Sequence, residues 1–179
     1  DLEAEERAHF LQIIVRESER LTRLINDFLD LAKIESGKME WQDEDCRLAE
    51  IIEQAANATS SLFNERRVAL SLALSANDAP VRCDRDRMVQ VVINLLGNAA
   101  KFVPDGQGRV AVELGRSGDG YLVRVEGNGP GVPQPYREAS FERFRQVSDS
   151  LLEDKPKGTG LGLSIVKHVV QRHVIRHAD

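Results

Sequence analysis

A seven-residue apolar repeat runs through the N-terminal stretch, and it constrains the fold more than any other feature. Ile14, Leu21 and Phe28 lie seven residues apart. Leu11, Ile25 and Ala32 fall on a compatible stripe, as do Leu24 and Leu31. Charges fill the gaps: Arg16, Glu17, Glu19, Arg20, Arg23, Asp27, Asp30 and Lys33. No Pro or Gly interrupts residues 1–36, and Gly37 supplies a stop. The pattern predicts one helix over residues 1 to about 37. A helix this long is unstable without a partner, so the stripe demands a second helix, from another chain or another segment. The plainer reading is an amphipathic helix packed on its own domain.

Residues 38–47, KMEWQDEDCR, show no period and read as a linker. From Leu48 onward, helical and extended patterns alternate. Leu48 to Phe63 has helical spacing, and VALSLAL (68–74) alternates like a strand. Residues 87–102 form the strongest helix, apolar at Met88, Val91, Val92, Leu95, Leu96 and Ala99. RVAVEL (109–114) and YLVRV (121–125) read as strands joined by a turn containing SGDG. Gly162 to His173 is a last helix. This order predicts an α/β fold: a long N-terminal helix, then a two-layer sandwich with a mixed sheet covered by helices on one face.

Composition narrows the function. In 179 residues, 24 basic against 29 acidic side chains leave a net charge of −5. That balance argues against nucleic acid as a partner, because neutralising phosphates needs a basic face. No apolar run is long enough to span a bilayer, and the acidic start is unlike a secretory signal. Membrane contact by this stretch and secretion are therefore not expected. Cys46 and Cys83 form no metal or redox motif and suit a reducing compartment.

The chemistry concentrates in four segments. In NLLGNAAK (94–101), Asn94, Asn98 and Lys101 share one face of the strong helix. Asn is a poor helix former, so two of them inside an apolar helix need a reason. One reason is an oxygen ligand for Mg²⁺ beside a Lys that meets phosphate; the other is a merely solvated face. GNGPG (127–131) follows a strand, with three glycines in five residues. It either lets the backbone approach a ligand closely or simply turns the chain. FERFRQ (141–146) reads as a short amphipathic helix with Phe141 and Phe144 packed. GTGLG (158–162) runs straight into the last helix, and N–H groups at a helix start flanked by glycines suit an anion. The polar stretch before it, SDSLLEDKPKG (148–158), has the composition of a mobile lid. Neither a P-loop nor a dinucleotide fingerprint is present.

In this order and spacing, the four segments resemble the N box, first glycine box, F box and second glycine box of sensor histidine kinases. The N-terminal RESERLTRLINDFLDLAKIESGK resembles the second helix of that family's dimerisation and phosphotransfer hairpin. The resemblance covers about residues 5–173. It implies a Bergerat-type fold with two parts: 1–40 from the hairpin, lacking its first helix, and 41–179 as the catalytic and ATP-binding domain. It implies ATP and Mg²⁺ as cofactors. Asn98 would be the Mg²⁺ ligand, Asn94 its polar neighbour, and Lys101 a phosphate contact next to Phe102. Gly129 and Gly131 would line the adenine pocket, and Phe102, Asn128 and Phe144 would belong to the ATP-binding site. Gly158, Thr159, Gly160, Leu161 and Gly162 would wrap the phosphates. It also implies a homodimer through the N-terminal helix in the full protein, a response-regulator partner, and a cytoplasmic position below a membrane anchor.

The sequence departs from the family at Gly127, where the family's first glycine box usually begins with Asp. That carboxylate accepts from the adenine amino group. Losing a charged hydrogen-bond partner costs about 1.5–3 kcal/mol, or roughly ten- to 150-fold in affinity. The family's closing strand is also not evident in the terminal VIRHAD. No histidine sits in the phosphoacceptor setting: His9 lacks the following acid and Pro, and His168, His173 and His177 read as surface residues. Three functions follow. One is a working kinase part that donates phosphate to a histidine elsewhere. The second is a degenerate, non-catalytic signalling scaffold, favoured by Gly127. The third is another ATPase of the same superfamily, against which the N-terminal helix and FERFRQ argue.

Overall fold

The structure, a computed structural model, describes residues 4–75, 79–145 and 158–174. The chain divides into two compact units, Asp1–Met39 and Glu40–Asp179. The first is helix α1, Ala4–Glu35. Lys38 N–H donates to Lys33 O at 3.0 Å and Gly37 N–H to Ile34 O at 3.1 Å. Gly37 takes φ +67 in this Schellman stop, a conformation that costs a residue without Cβ little. Ile14, Leu21 and Phe28 are 60, 57 and 51% exposed, so these three positions of the apolar stripe are uncovered in the single chain, whereas Leu31 is buried.

The second unit runs β1 (Asp43–Arg47), α2 (Leu48–Glu65), β2 (Ala69–Leu74), β3 (Pro80–Asp84), α3 (Arg85–Phe102), β4 (Arg109–Ser117), β5 (Gly120–Gly127) and α4 (Gly162–Val174). Strands β2, β4 and β5 make a mixed sheet in that order, β2 parallel and β5 antiparallel to β4. Alternation along β4 buries Val110, Val112 and Leu114. Their layer joins Ile51, Ile52 and Ala55 of α2 with Val92, Leu96 and Ala100 of α3 in one core. Glu113, on the opposite face of β4, is exposed. The helices thus cover one face of a mixed sheet, as the element order predicts.

Three expectations are corrected. Residues 38–47 are not all linker: Asp43–Arg47 pairs antiparallel with Pro80–Asp84 in a separate ribbon. DEDCR carries no strand-like apolar alternation, and PVRCD only a short one at Val81 and Cys83; cross-strand pairing makes these strands. FERFRQ is not an amphipathic helix. Short 3₁₀ turns at Gln134–Tyr136 and Ala139–Phe141 lead to Phe144, which takes φ +56 and is 58% exposed. A left-handed residue cannot continue a helix. His173 is not a surface residue, since its side chain is only 9% exposed. Its Nε2 accepts from Asp84 N–H at 3.2 Å, and its Nδ1 lies 2.7 Å from Val169 O. The ring packs edge-on to Trp41, and the Arg172 guanidinium lies 4.7 Å from the centre of the Trp41 ring. Arg172 also pairs with Asp43 at 3.2 Å. The end of α4 is therefore pinned to the β1–β3 ribbon. His168 is half-buried and holds Ser164 O at 2.8 Å through Nδ1. The expected lid at 148–157, Gln146, His177 and the terminal residues 175–179, where no clear closing strand is expected, lie outside the described residues.

Two predictions arise from the packing. Gly97 sits mid-helix in α3 with nothing within 4 Å of where a Cβ would stand. Gly97→Ala should stabilise the domain by about 0.5–1 kcal/mol, read as a higher denaturation midpoint at unchanged slope. Cys83 is buried, and desolvation first, then the neighbouring Cys46 thiol, pushes its pKa up to about 12. Its neutral form is the native one, so its contribution to stability is complete below about pH 9 and lost as pH climbs towards 12. In the native chain at pH 8, a thiol reagent should spare Cys83 and label it only after unfolding, as mass spectrometry would show.

Candidate functional site

Helix α3 carries the site. Asp84 starts it: its Oδ1 accepts from Arg87 N–H at 3.1 Å, and its Oδ2 accepts from Gln42 N–H at 3.0 Å. Arg66 donates to Ala100 O at 2.8 Å and so occupies a last-turn carbonyl. Val92, Leu96 and Ala100 fix the helix rotation by burial. With that face inward, Asn94, Asn98 and Lys101 come to lie half-buried on another.

Helix α4 is anchored beside it by the buried Leu161, Ile165 and Val169. Its glycine-rich start meets the polar face of α3. Asn94 Nδ2 donates to Gly162 O at 3.4 Å. A Cβ on Gly158 would stand 3.3 Å from Lys101 Nζ. Lys101 Nζ in turn lies 5.0 Å from the centre of the Phe102 ring. Thr159 Oγ1 accepts from Leu161 N–H at 3.3 Å and closes a small turn. Gly160 takes φ +72, and a Cβ there would come within 2.9 Å of Phe144 Cα. The reason for this close approach is a backbone bond, Phe144 N–H to Gly160 O at 2.9 Å. The structure therefore joins three of the four segments: the α3 face, FERFR and GTGLG.

The fourth segment, GNGPG, touches the end of α3. A Cβ on Gly129 would lie 2.5 Å from Phe102 O, so only glycine fits that approach. Gly131 takes φ +73 in open space. Asn128 differs from expectation in one respect: both ends of its amide are used inside the chain. Its Oδ1 accepts from Arg109 N–H at 2.7 Å and its Nδ2 donates to Gln107 O at 3.0 Å. These two bonds fasten the loop. The Asn98 side chain, by contrast, makes no hydrogen bond among the described residues and is half-buried. Among those residues, no cluster of three or more His, Cys, Asp or Glu could hold a metal. A Mg²⁺ ion here would rely on amide oxygen and bound phosphate, which suits a hard cation that keeps several waters.

Sequence reasoning missed Val103. It is 1% exposed at the C-cap of α3 and forms the wall behind Gly127. The signal was its place four residues after Ala99, on the apolar stripe of the helix.

Comparison with known proteins gives the family. Residues 83–177 match the model of the "Histidine kinase-, DNA gyrase B-, and HSP90-like ATPase" family, and residues 2–37 match that of the "His Kinase A (phospho-acceptor) domain". The chain belongs to the histidine kinase branch of this ATPase family. Several of its relatives are named histidine kinases. The circadian input-output histidine kinase CikA of Synechococcus elongatus is 34% identical over 94% of this chain and 22% of its own length. The alginate biosynthesis sensor protein KinB of Pseudomonas aeruginosa is 34% identical over 97% of this chain and 28% of its own. Full-length ShkA, solved in complex with AMPPNP, matches with TM-score 0.77 at 27% identity, over 96% of this chain and 35% of that one. The chain spans under a third of the length of CikA and KinB and 35% of the ShkA chain. Among its described residues, no helix is long and apolar enough to cross a membrane.

Proposed function

We propose that this chain is the nucleotide-binding, phosphoryl-donating part of a two-component sensor histidine kinase. It would bind Mg²⁺-ATP between the polar face of α3 and the glycine-rich start of α4, and transfer the γ-phosphoryl group to a histidine on another helix. One observation carries the reading: residues far apart in sequence, Asn94 with Gly162 and Lys101 with Gly158, meet where N–H groups at the start of α4 are flanked by glycines. Lys101 would neutralise phosphate charge, and the glycines would let the backbone close around phosphate oxygens. Asn98 would present its amide oxygen to Mg²⁺, and the ion would supply charge neutralisation on the transferring group. GNGPG would hold the base against the end of α3. Dimerisation through the apolar stripe of α1, a response regulator as phosphate acceptor, and a cytoplasmic location complete the proposal.

Calorimetric titration of Mg²⁺-ADP and Mg²⁺-ATP tests it. Binding is expected, weakened about ten- to 150-fold by the lost acceptor at position 127. Phosphoryl transfer to a separately supplied acceptor helix should follow. Gly127 also supports a second reading, a non-catalytic scaffold. Silence to millimolar nucleotide would establish that reading and overturn the first.

A further inference from the structure

The GNGPG loop has an unusual chemical poverty, and its cause lies in Val103. The two methyl groups of Val103 are clamped between two glycines. A Cβ on Gly108 would lie 2.5 Å from Val103 Cγ2, and a Cβ on Gly127 would lie 2.9 Å from Val103 Cγ1. Beyond Cγ1, the next neighbours of position 127 are Arg109 O at 3.7 Å and Val110 Cγ2 at 3.8 Å. Val103 and Val110 are both buried. Gly127 itself is exposed, but a Cβ there would point at Val103 Cγ1 first, with a backbone carbonyl and a second valine beyond it. The remaining polar side chain of the loop, Asn128, is committed at both ends to Arg109 N–H and Gln107 O. Gly129 presses its backbone onto Phe102 O, and Pro130 and Gly131 bring no polar side-chain atom. Among the described residues, segment 127–131 thus has no uncommitted side-chain acceptor.

From this we infer that the base pocket has lost its choice at the purine 6-position: the chain takes 6-oxo purine nucleotides as well as 6-amino ones. The inference rests on the proposed seating of a purine against this loop. The chemistry is direct. A 6-amino group donates, a 6-oxo group accepts, and selectivity between them needs a fixed partner of the opposite kind. Sites built around such a partner reject the unpaired analogue steeply, because a buried polar group is left without its bond. A loop whose side chains are glycine, proline and an already committed Asn offers no side-chain partner to favour either group. The same clamp makes the loss hard to reverse. Asp at position 127 needs Val103 to move, and Val103 is held from the other side at Gly108.

The test is equilibrium titration of Mg²⁺-ADP and Mg²⁺-IDP into the chain, which differ in the purine only at that position. The dissociation constants are expected to agree within about fivefold. The paired variant Gly127→Asp with Val103→Ala, which vacates the Cγ1 position, should restore a preference for ADP of roughly tenfold or more. If the unaltered chain binds ADP more than about 30-fold tighter than IDP, the inference is overturned while nucleotide binding stands. If neither nucleotide binds at millimolar concentration, the proposed function and the inference fall together. Should the paired variant not fold, the ADP-to-IDP ratio of the unaltered chain decides alone.

Discussion

Asn98→Ala is expected to reduce phosphoryl transfer by about 100-fold or more while leaving the fold intact. Asn98 is half-buried on the α3 face that meets Gly158 and Gly162, and its amide has no hydrogen bond among the described residues. Removing it deletes no described hydrogen bond. Ala is also the better helix former, by several tenths of a kcal/mol, so the variant should unfold at an equal or higher temperature. A large loss of transfer with no loss of stability separates a ligand from a structural side chain. The magnitude follows from what one well-placed charge-stabilising group contributes at a transferring centre, about 10²–10³ in rate. A second readout needs no turnover: the dependence of ADP affinity on Mg²⁺ should flatten. Asn94→Ala makes the contrast, because Asn94 already donates to Gly162 O and its loss loosens the start of α4. It should lower stability by about 1 kcal/mol and transfer less than Asn98→Ala. A fall under threefold for Asn98→Ala would remove it from the site.

The sequence made some of this legible and hid the rest for physical reasons. Helix α3 was readable because a 3.6-residue apolar period leaves its polar face as a residue: once Val92, Leu96 and Ala100 go inward, Asn94, Asn98 and Lys101 are placed by geometry. Strands β4 and β5 were readable from alternation and from a tight Gly-rich turn. The ribbon of β1 and β3 was not, because DEDCR owes its extended form to pairing with a segment far along the chain, and no local pattern records that. The burial of His173 was hidden likewise. Trp41 and Asp43, more than a hundred residues earlier, create the slot that the end of α4 fills. FERFRQ misled through its aromatic spacing, since the bond from Phe144 N–H to Gly160 O turns the chain out of a helical path. Gly127 stood out only against the family pattern. That its space is closed by Val103 is a fact of packing, and this changes the meaning of the substitution from a missing acceptor to a filled one.

The glycines of the GNGPG loop should separate by space and not by rank in the motif. Gly129→Ala places a methyl 2.5 Å from Phe102 O, 3.0 Å from Phe102 C and 3.4 Å from Val103 N. These are backbone atoms at the C-terminus of α3 and cannot rotate away. Either the loop lifts from the helix end or the last turn of α3 opens. Both outcomes cost more than about 2 kcal/mol, the range for overpacking against atoms that cannot yield. Because the same loop would seat the base, nucleotide affinity should fall by about 30-fold or more, with a lower unfolding temperature. Gly131→Ala meets nothing within 4 Å. Its cost is that of a Cβ at φ +73, about 1–2 kcal/mol, partly relieved because the loop there is free to adjust. Its affinity loss should stay under about tenfold. Gly129→Ala tolerated as well as Gly131→Ala would mean that the loop does not rest on α3, and the base would have to be seated elsewhere. The expected order ties the pocket to a single physical event, the contact of one glycine Cα with the terminal carbonyl of the helix that also carries Asn98 and Lys101.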